Sequence, residues 1–530
     1  MAWLQHFANT LLYSEQHWVL KPSTMRARKA IWLLPTLATI SISIGAAQVS
    51  PTDAPAGSPH SEAQQDTSEP LPIFKSGTDL VLVPVVVRDS KGGHIRGLSK
   101  EAFRLKEKGK AQQITLFEEV RPDNGPTPRV PDRGYGNVAH DGAGRPRLTI
   151  IALDLLSMKQ QLEQTEAKEL LADFLEKGLV EGQPVSLVQI TSDGLKQIHP
   201  ITADREQLLQ ALKKMPVWTG IVAWQQNHVV VTIQSLRDIA EAYAGIPGRK
   251  SLILVGESLP ELRLDPGIMG AGIYAGDLRQ LGQDLMNASI SVYPTSWTPG
   301  FDDWRARSKD FNLNSFAGDT GGNICAAARW NGCLADAVED SLSYYMLGFH
   351  VRSDDRKPGW RDLKVSVAVE HADVRARSGF YYGPAPASDA QTARAEEINA
   401  LGLAVPKRDV PMYVKVLRTE AASGGNNKKT ISFMINLPLG SLRVDASKAN
   451  PLDLEVGAIA ITDKKTKEAA ELLHAVRGRP KPDNLKQWVQ SGIQIPEKLD
   501  LSPGIYDLRF FVHDMNSGQI GTVVFPLTVE

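Results

Sequence analysis

The middle of the chain alternates between apolar runs and apolar positions at helical spacing. Residues 148–153 form an almost continuous apolar run, which is the pattern of a strand buried on both faces. Leu171, Phe174 and Leu175 then follow close to helical spacing within residues 160–178. Further strands are predicted at 185–190, 251–255 and 290–293, and further helices from 203, around 233–243 and at 275–287. This alternation predicts an α/β domain at about 146–340 with a mostly parallel sheet covered by helices.

Patterns typical of β-strands flank this domain on both sides. Residues 80–87 are rich in β-branched side chains, and strands are predicted again at 344–349, 363–369 and 374–382. We predict that residues 73–121 and 341–383 form one β-sandwich with the central domain inserted between them. Domains are often inserted where chain ends lie close. Contact between the strands 81–87 and 363–369 is therefore expected.

The last part of the chain has a β pattern of its own. Apolar residues alternate at Met412, Val414 and Val416, and a long apolar strand is predicted at 504–512. Several short strands with regular turns predict a second β-sandwich at 410–530. The Pro-containing stretches 122–146, before the central domain, and 384–409, before the second sandwich, are predicted to be linkers. The second sandwich is therefore expected to be a separate module on a flexible tether.

The N-terminal residues follow the order of a secretory signal. Basic residues between Lys21 and Lys29 precede an apolar stretch at 30–44, and small residues for cleavage follow at 45–47. We predict a signal peptide at 1–47, with Met25 as the start of a more compact one, and hence an exported protein, periplasmic or extracellular. An uncleaved membrane anchor is the alternative. Residues 48–72 are rich in Pro, Ser and acids and predict a disordered spacer.

Length, charge and cysteine content narrow the functional classes. A chain of 530 residues is too long for one hydrophobic core, so several domains are expected. The 59 basic and 60 acidic residues leave a net charge of -1, which excludes a globally basic nucleic-acid footprint and leaves local patches open. The two cysteines, Cys325 and Cys333, lie close together and predict a short-loop disulfide in an oxidising compartment.

Several strings follow one another in a characteristic order over roughly residues 74–383. They are residues 85–89, 97–103, the strand end at Asp154, and residues 247–253, 320–322, 343–349 and 374–381. In this order they resemble a von Willebrand factor A domain and, more narrowly, the exported A-domain-related family that is abundant in acidobacteria. The resemblance implies a Rossmann-like fold of the von Willebrand A type.

The resemblance also implies a divalent-cation site at the carboxyl ends of the strands, where open α/β sheets place their ligands. The family motif is an Asp, two Ser at alternate positions, and a Thr and a second carboxylate from later loops. Here Leu156 and Met158 stand where the serines belong, so the site is a degenerate one. Its candidate ligands for Mg²⁺ are Asp154, Ser157, Thr219 and Glu257. In the alternative, Asp154 caps the following helix or accepts backbone N–H bonds in a relic site, and no cofactor is bound.

The sequence contains no recognisable catalytic set. Ser258 follows a strand, but Pro260 stands where a nucleophile elbow needs glycine. The eleven histidines form no HExxH pattern, and no GxxxxGK[ST] phosphate loop occurs. We therefore predict a protein that is not an enzyme.

Binding is the predicted activity, because rigid sheets that present variable loops suit recognition. The loops after Asp154, around residues 218–224 and after Glu257 are the expected face, and a protein is the expected partner. Trp218 and Trp224 are either aromatic anchors for that partner or pack under a long loop. An adhesion-like or scaffolding role is expected. A secreted hydrolase with an unrecognised active site and a chaperone-like regulatory envelope protein are the alternatives.

Overall fold

The computed structural model describes residues 80–121, 135–137, 148–158, 161–216, 227–256, 275–295, 317–325, 330–351, 357, 359–382, 390–422, 427–445, 447–462 and 468–530. Within these ranges the strands are β1 (Leu80–Arg88), β2 (Phe103–Glu107), β3 (Lys110–Gln112), β4 (Leu116–Val120), β5 (Tyr135–Gly136), β6 (Leu148–Asp154), β7 (Val185–Thr191), β8 (Gly194–Thr202), β9 (Lys250–Val255), β10 (Ile290–Thr295), β11 (Tyr344–His350), β12 (Gly359–Val367), β13 (Asp373–Ala376), β14 (Gly379–Tyr382), β15 (Tyr413–Ala421), β16 (Lys429–Leu437), β17 (Leu452–Thr462), β18 (Glu468–Gly478), β19 (Ile493–Leu501), β20 (Gly504–Asp514) and β21 (Gln519–Val529).

The helices of the same residues are α1 (Gln161–Lys177), α2 (Arg205–Lys214), α3 (Asn227–Tyr243), α4 (Ala275–Asn287), α5 (Trp330–Leu342), α6 (Ala390–Gly402) and α7 (Pro482–Ser491), with short 3₁₀ turns at Lys100–Ala102 and Leu439–Ser441. None of these helices is long and apolar enough to cross a membrane.

Strands from both sides of the central domain form two four-stranded sheets, which are together called the first sandwich below. One sheet has the order β13–β1–β11–β4 and the other β14–β12–β2–β3. Their inner faces share one apolar cluster, in which Val83 and Val85 of β1 lie with Leu363 and Val365 of β12. The two strands that were expected to be in contact therefore lie in facing sheets. The backbone partners of β1 are β11 and β13, both from the second half of the sandwich.

The central domain contains a five-stranded sheet in the order β10–β9–β6–β7–β8, with helices on both faces. β6 is buried along its whole length because its side chains are covered on both sides. Ile150 and Ala152 pack with α3 and α4, whereas Ile151 and Leu153 pack with α1, α2 and α5. The four strands that the sequence predicts, β6, β7, β9 and β10, pair in parallel.

The fifth strand, β8, departs from the parallel pattern and was not predicted. It follows β7 after a tight turn and pairs with it antiparallel. Gly194 at this turn has a φ of 97°, which glycine adopts without strain. β8 is an edge strand with mostly half-buried residues, so it lacks the continuous apolar run that marks the buried strands. The sheet is therefore mixed, with mostly parallel strands.

The C-terminal residues form two further four-stranded sheets, β19–β16–β15–β5 and β18–β17–β20–β21. Their apolar side chains share one core, in which the rings of Phe433 and Phe510 lie 5.1 Å apart. The helix α7 connects β18 to β19 and packs Trp488 against this core. The sequence pattern did not predict this helix.

Both predicted linkers contribute ordered structure. β5 lies within the stretch 122–146 and pairs with β15. The buried Asn137 beside it donates from Nδ2 to the carbonyl oxygens of Lys407 and Val410, each at 2.9 Å, and accepts from the N–H of Met412 at 2.8 Å. The second stretch, 384–409, contains α6.

Residues 403–410, called the docking segment below, lie against the central domain. Val405 is fully buried in the cluster of α3 and α4. The guanidinium of Arg408 lies 4.8 Å from the centre of the Tyr243 ring, and Lys407 Nζ donates to a glutamate of α3 at 2.9 Å. The main-chain N–H of Lys407 donates to a threonine hydroxyl of β21 at 2.8 Å. The prediction of a flexible tether is therefore wrong for this segment, because its side chains complete a core.

A buried charge cluster joins the first sandwich to the central domain. Its centre is Asp340 on α5, which accepts from Arg88 Nε of β1 at 2.8 Å and from Arg375 Nη1 of β13 at 3.0 Å. The hydroxyl of Tyr293 on β10 donates to the same carboxylate at 2.5 Å, and His94 Nε2 lies 3.1 Å away. The sequence pattern did not indicate this cluster.

The predicted disulfide between Cys325 and Cys333 is confirmed. The N–H of Cys325 donates to the carbonyl of Pro294 at 2.9 Å, so the first cysteine lies beside the end of β10. The second lies in α5. The bond therefore fixes α5 to the edge of the central sheet.

Candidate functional site

Asp154 is the last residue of β6, in the middle of the central sheet, and its side chain is buried. Its Oδ1 accepts from the backbone N–H of Leu156 at 3.1 Å and of Ser157 at 3.3 Å. The Ser157 hydroxyl donates to the carbonyl oxygen of Asp154 at 2.9 Å. These bonds close a tight turn at the carboxyl end of the strand, because a short acidic side chain can satisfy backbone donors two and three residues on.

Two further elements reach this carboxylate from the sides. Thr232 of α3 directs its hydroxyl towards Asp154 Oδ2 at 3.5 Å. Gly256 follows β9, and a Cβ atom there would lie 2.6 Å from Ser157 Oγ and 3.2 Å from Asp154 Cβ. The close approach of β9 to this turn therefore requires glycine.

The structure brings together only part of the predicted site. Asp154 and Ser157 are neighbours in the turn at the end of β6. Thr219, Glu257 and the two tryptophans, Trp218 and Trp224, lie outside the described residues. Sequence reasoning missed Thr232, because a threonine inside a predicted helix carries no motif that would link it to a strand end elsewhere in the chain.

The described part of the site does not supply a Mg²⁺ shell. Mg²⁺ requires near-octahedral oxygen coordination, with carboxylates free to face the ion. Here one oxygen of Asp154 accepts two backbone N–H bonds, and the Ser157 hydroxyl is directed at a carbonyl. Leu156 and Met158 are buried apolar side chains. Among the described residues, no group of three His, Cys, Asp or Glu side chains is placed to hold a metal ion. The two backbone N–H bonds to Asp154 are those that the capping alternative predicts, while the role of Thr219 and Glu257 in a cation site stays a prediction.

We expect the Asp154→Ala substitution to lower the free energy of unfolding by about 1–3 kcal/mol, because it leaves two buried N–H groups without their acceptor. Thermal unfolding of both proteins, with and without millimolar Mg²⁺, measures this effect. The added cation should leave the melting temperature of the wild type unchanged. A melting temperature that rises with Mg²⁺ in the wild type and not in the variant would instead favour the cation site.

Two large apolar side chains are exposed at the same edge of the sheet. α1 begins after the Asp154 turn and α3 runs back to the start of β9, so both helices begin at the carboxyl ends of the parallel strands. Leu162 in the first turn of α1 is 63% exposed, and Val230 in the first turn of α3 is 50% exposed. This edge, with Asp154, Leu162 and Val230, is called the rim below.

The described sheet and its rim define an open α/β domain of mixed, mostly parallel pairing. No known protein family matches the chain, and no curated protein matches it. Solved structures similar to the chain include "von Willebrand factor type A from Catenulispora acidiphila", with 10% identity, a TM-score of 0.24, and coverage of 51% of this chain and 73% of that one.

Two further solved structures are similar over about a third of the chain. The "TFIIH p34 N-terminal Domain" has 15% identity, a TM-score of 0.22, and coverage of 36% of this chain and 96% of that one. The "SpRpn10 VWA domain" has 12% identity, a TM-score of 0.19, and coverage of 34% and 86%. The structure neighbours thus include von Willebrand factor A domains, while the class of fold here follows from the strand order of the central sheet.

Proposed function

We propose that the chain is an exported binding protein without enzymatic activity, built on a von Willebrand A-type domain of the exported acidobacterial kind. It recognises a protein partner through the rim and acts in adhesion or as a scaffold. The observation that carries this proposal is the exposure of Leu162 and Val230 on either side of the central sheet, at the end where Asp154 lies.

The position of these side chains supports binding in physical terms. Open α/β sheets bind their partners outside the carboxyl ends of the strands. When a partner covers large apolar side chains at such an edge, the free energy falls because their apolar surface leaves water. The disulfide and the charged, apolar and small-residue order at the N-terminus support export, because disulfides persist in oxidising compartments.

The test is capture of partners by the full chain from the envelope and secreted fractions of its own cells. We expect the Leu162→Asp/Val230→Asp variant to lose the captured protein, because two carboxylates would have to be desolvated in the interface. The matched control is Val180→Asp/Val489→Asp, which replaces two residues that are 51% and 74% exposed and lie away from the rim.

The control should keep the partner at the wild-type level. Equal capture by the wild type and the rim variant would contradict the proposed binding face. Turnover of a polysaccharide, peptide or ester by the purified chain would contradict the absence of enzymatic activity.

A further inference from the structure

The sheet β14–β12–β2–β3 of the first sandwich turns one face to its core and the other to solvent. Strand alternation points Arg104 and Lys106 of β2 and Lys364 and Ser366 of β12 outward, and all four are exposed. In the register of the two strands, Lys106 lies directly opposite Lys364, and Arg104 lies opposite Ser366. Three cationic groups therefore share a small area of one sheet face.

This arrangement is unfavourable for the isolated protein. Like charges directly opposite each other on a sheet are destabilising. Among the described residues, none of the three cations of Arg104, Lys106 and Lys364 has a carboxylate in ion-pair contact. The nearby carboxylate of Asp362 accepts from the indole N–H of Trp360 at 2.9 Å. Acidic groups of a partner that covers this face would therefore offset the repulsion.

Aromatic rings extend the same face. Trp360 of β12 lies directly opposite Tyr381 of β14, and Tyr381 is 52% exposed. A Cβ atom at Gly379 would lie 2.3 Å from Cζ2 of Trp360, so glycine allows the indole to lie against the sheet. The face thus combines an aromatic end with a cationic end. Tyrosine, tryptophan and arginine, all present on this face, are enriched at interfaces.

We propose that this face, defined by Arg104, Lys106, Lys364, Trp360 and Tyr381, binds an acidic polysaccharide. The faces of the sugar rings pack on the aromatic side chains, and the carboxylates of the uronic acids contact the cations. Three cations suit such a chain better than they suit a nucleic acid, whose binding usually rests on about six to ten phosphate contacts. This site is separate from the rim and does not depend on its proposed partner.

The probe is polygalacturonate, titrated into the full chain in a calorimeter at low and high salt. We expect Lys106→Glu to lower the affinity at least tenfold. The same substitution should raise the melting temperature, because it places a carboxylate opposite Lys364. The double variant Lys106→Glu/Lys364→Glu should return the melting temperature towards the wild-type value while binding stays lost.

The melting temperature thus changes in opposite directions between the single and the double variant, while binding is lost in both. This difference separates a binding role of the cations from a structural one. Lys213→Glu on α2 also reverses an exposed lysine and should leave polygalacturonate binding unchanged, as a matched control. Wild-type affinity in both Lys106 variants would overturn the proposal. Equal binding of neutral galactan would overturn it as well, and so would binding of single-stranded DNA in place of polygalacturonate.

Discussion

The Asp340→Ala substitution is expected to lower the free energy of unfolding by about 3–5 kcal/mol, because removing one partner of a buried ion cluster leaves the others uncompensated. Arg88 and Arg375 would lose a carboxylate at 2.8 and 3.0 Å, and the Tyr293 hydroxyl would lose its acceptor at 2.5 Å. Urea unfolding followed by circular dichroism measures the change. Since Asp340 joins two domains, the transition should also become less cooperative.

A neighbouring carboxylate provides the control. Asp336 also pairs with Arg88, at 3.0 Å, but its side chain is 44% exposed. Solvent screens such a pair, so Asp336→Ala should cost less than about 1 kcal/mol. Equal losses from both substitutions would show that burial at Asp340 is not the source of the effect.

The same carboxylate makes stability depend on pH in the acid range. Burial alone would raise the pKa of Asp340, but the contact with His94 Nε2 at 3.1 Å and the positive charges of Arg249, Arg88 and Arg375 hold this pKa well below its ordinary value of 3.8. A carboxylate with a lowered pKa in the folded state stabilises the fold above its ordinary pKa, and this contribution is lost as the pH falls below it. Asp340→Asn should therefore show a shallower loss of stability below about pH 4 than the wild type.

The Gly245→Val substitution is expected to separate the docking segment from the central domain. A Cβ atom at Gly245 would lie 2.3 Å from the carbonyl oxygen of Arg408 and 2.5 Å from Asp409 Cα, which are backbone atoms that cannot turn away. Displacement of the segment would expose Val405 and remove Arg408 from the Tyr243 ring. The combined loss is about 2–4 kcal/mol, from overpacking and lost burial.

Limited proteolysis and small-angle scattering measure this separation. The variant should be cleaved within 403–410 and should show a larger radius of gyration, while each part keeps its own melting transition. Gly332→Ala on α5 is the control, because a Cβ atom there meets no atom within 4 Å and alanine favours a helix. An unchanged cleavage pattern in Gly245→Val would contradict the docked arrangement.

The buried strands of the central sheet could be predicted because burial on both faces requires a nearly continuous apolar run in the sequence. β6 needs apolar residues on both faces to contact helices on both sides, and its run at 148–153 supplies them at every position except Thr149. The sequences of β8 and α6 contain no such apolar run. β8 is half-exposed at a sheet edge, and α6 lies in a stretch whose polar and alanine-rich composition resembles a linker.

A residue of the candidate site could be predicted only where its position in the chain alone determines its position in the fold. Asp154 follows a buried strand, so its place at the carboxyl edge follows from the pattern. Thr232 and Asp340 acquire their contacts through packing between elements far apart in sequence, such as α3 with β6 and α5 with β1. Side-chain periodicity predicts which face of a helix is buried, but not which distant residue that face contacts.

The pairing of β1 with β11 has a consequence for how the protein is made. Leu80 lies opposite His350. The first sandwich therefore cannot form until the chain has been synthesised to about residue 350, some 270 residues after Leu80. The intervening domain has its own two-sided core and can fold in that interval. Once the central domain has folded, it shortens the effective distance between β1 and β11. A substitution that prevents the central domain from folding would then also prevent the first sandwich from forming, although no residue of that sandwich is changed.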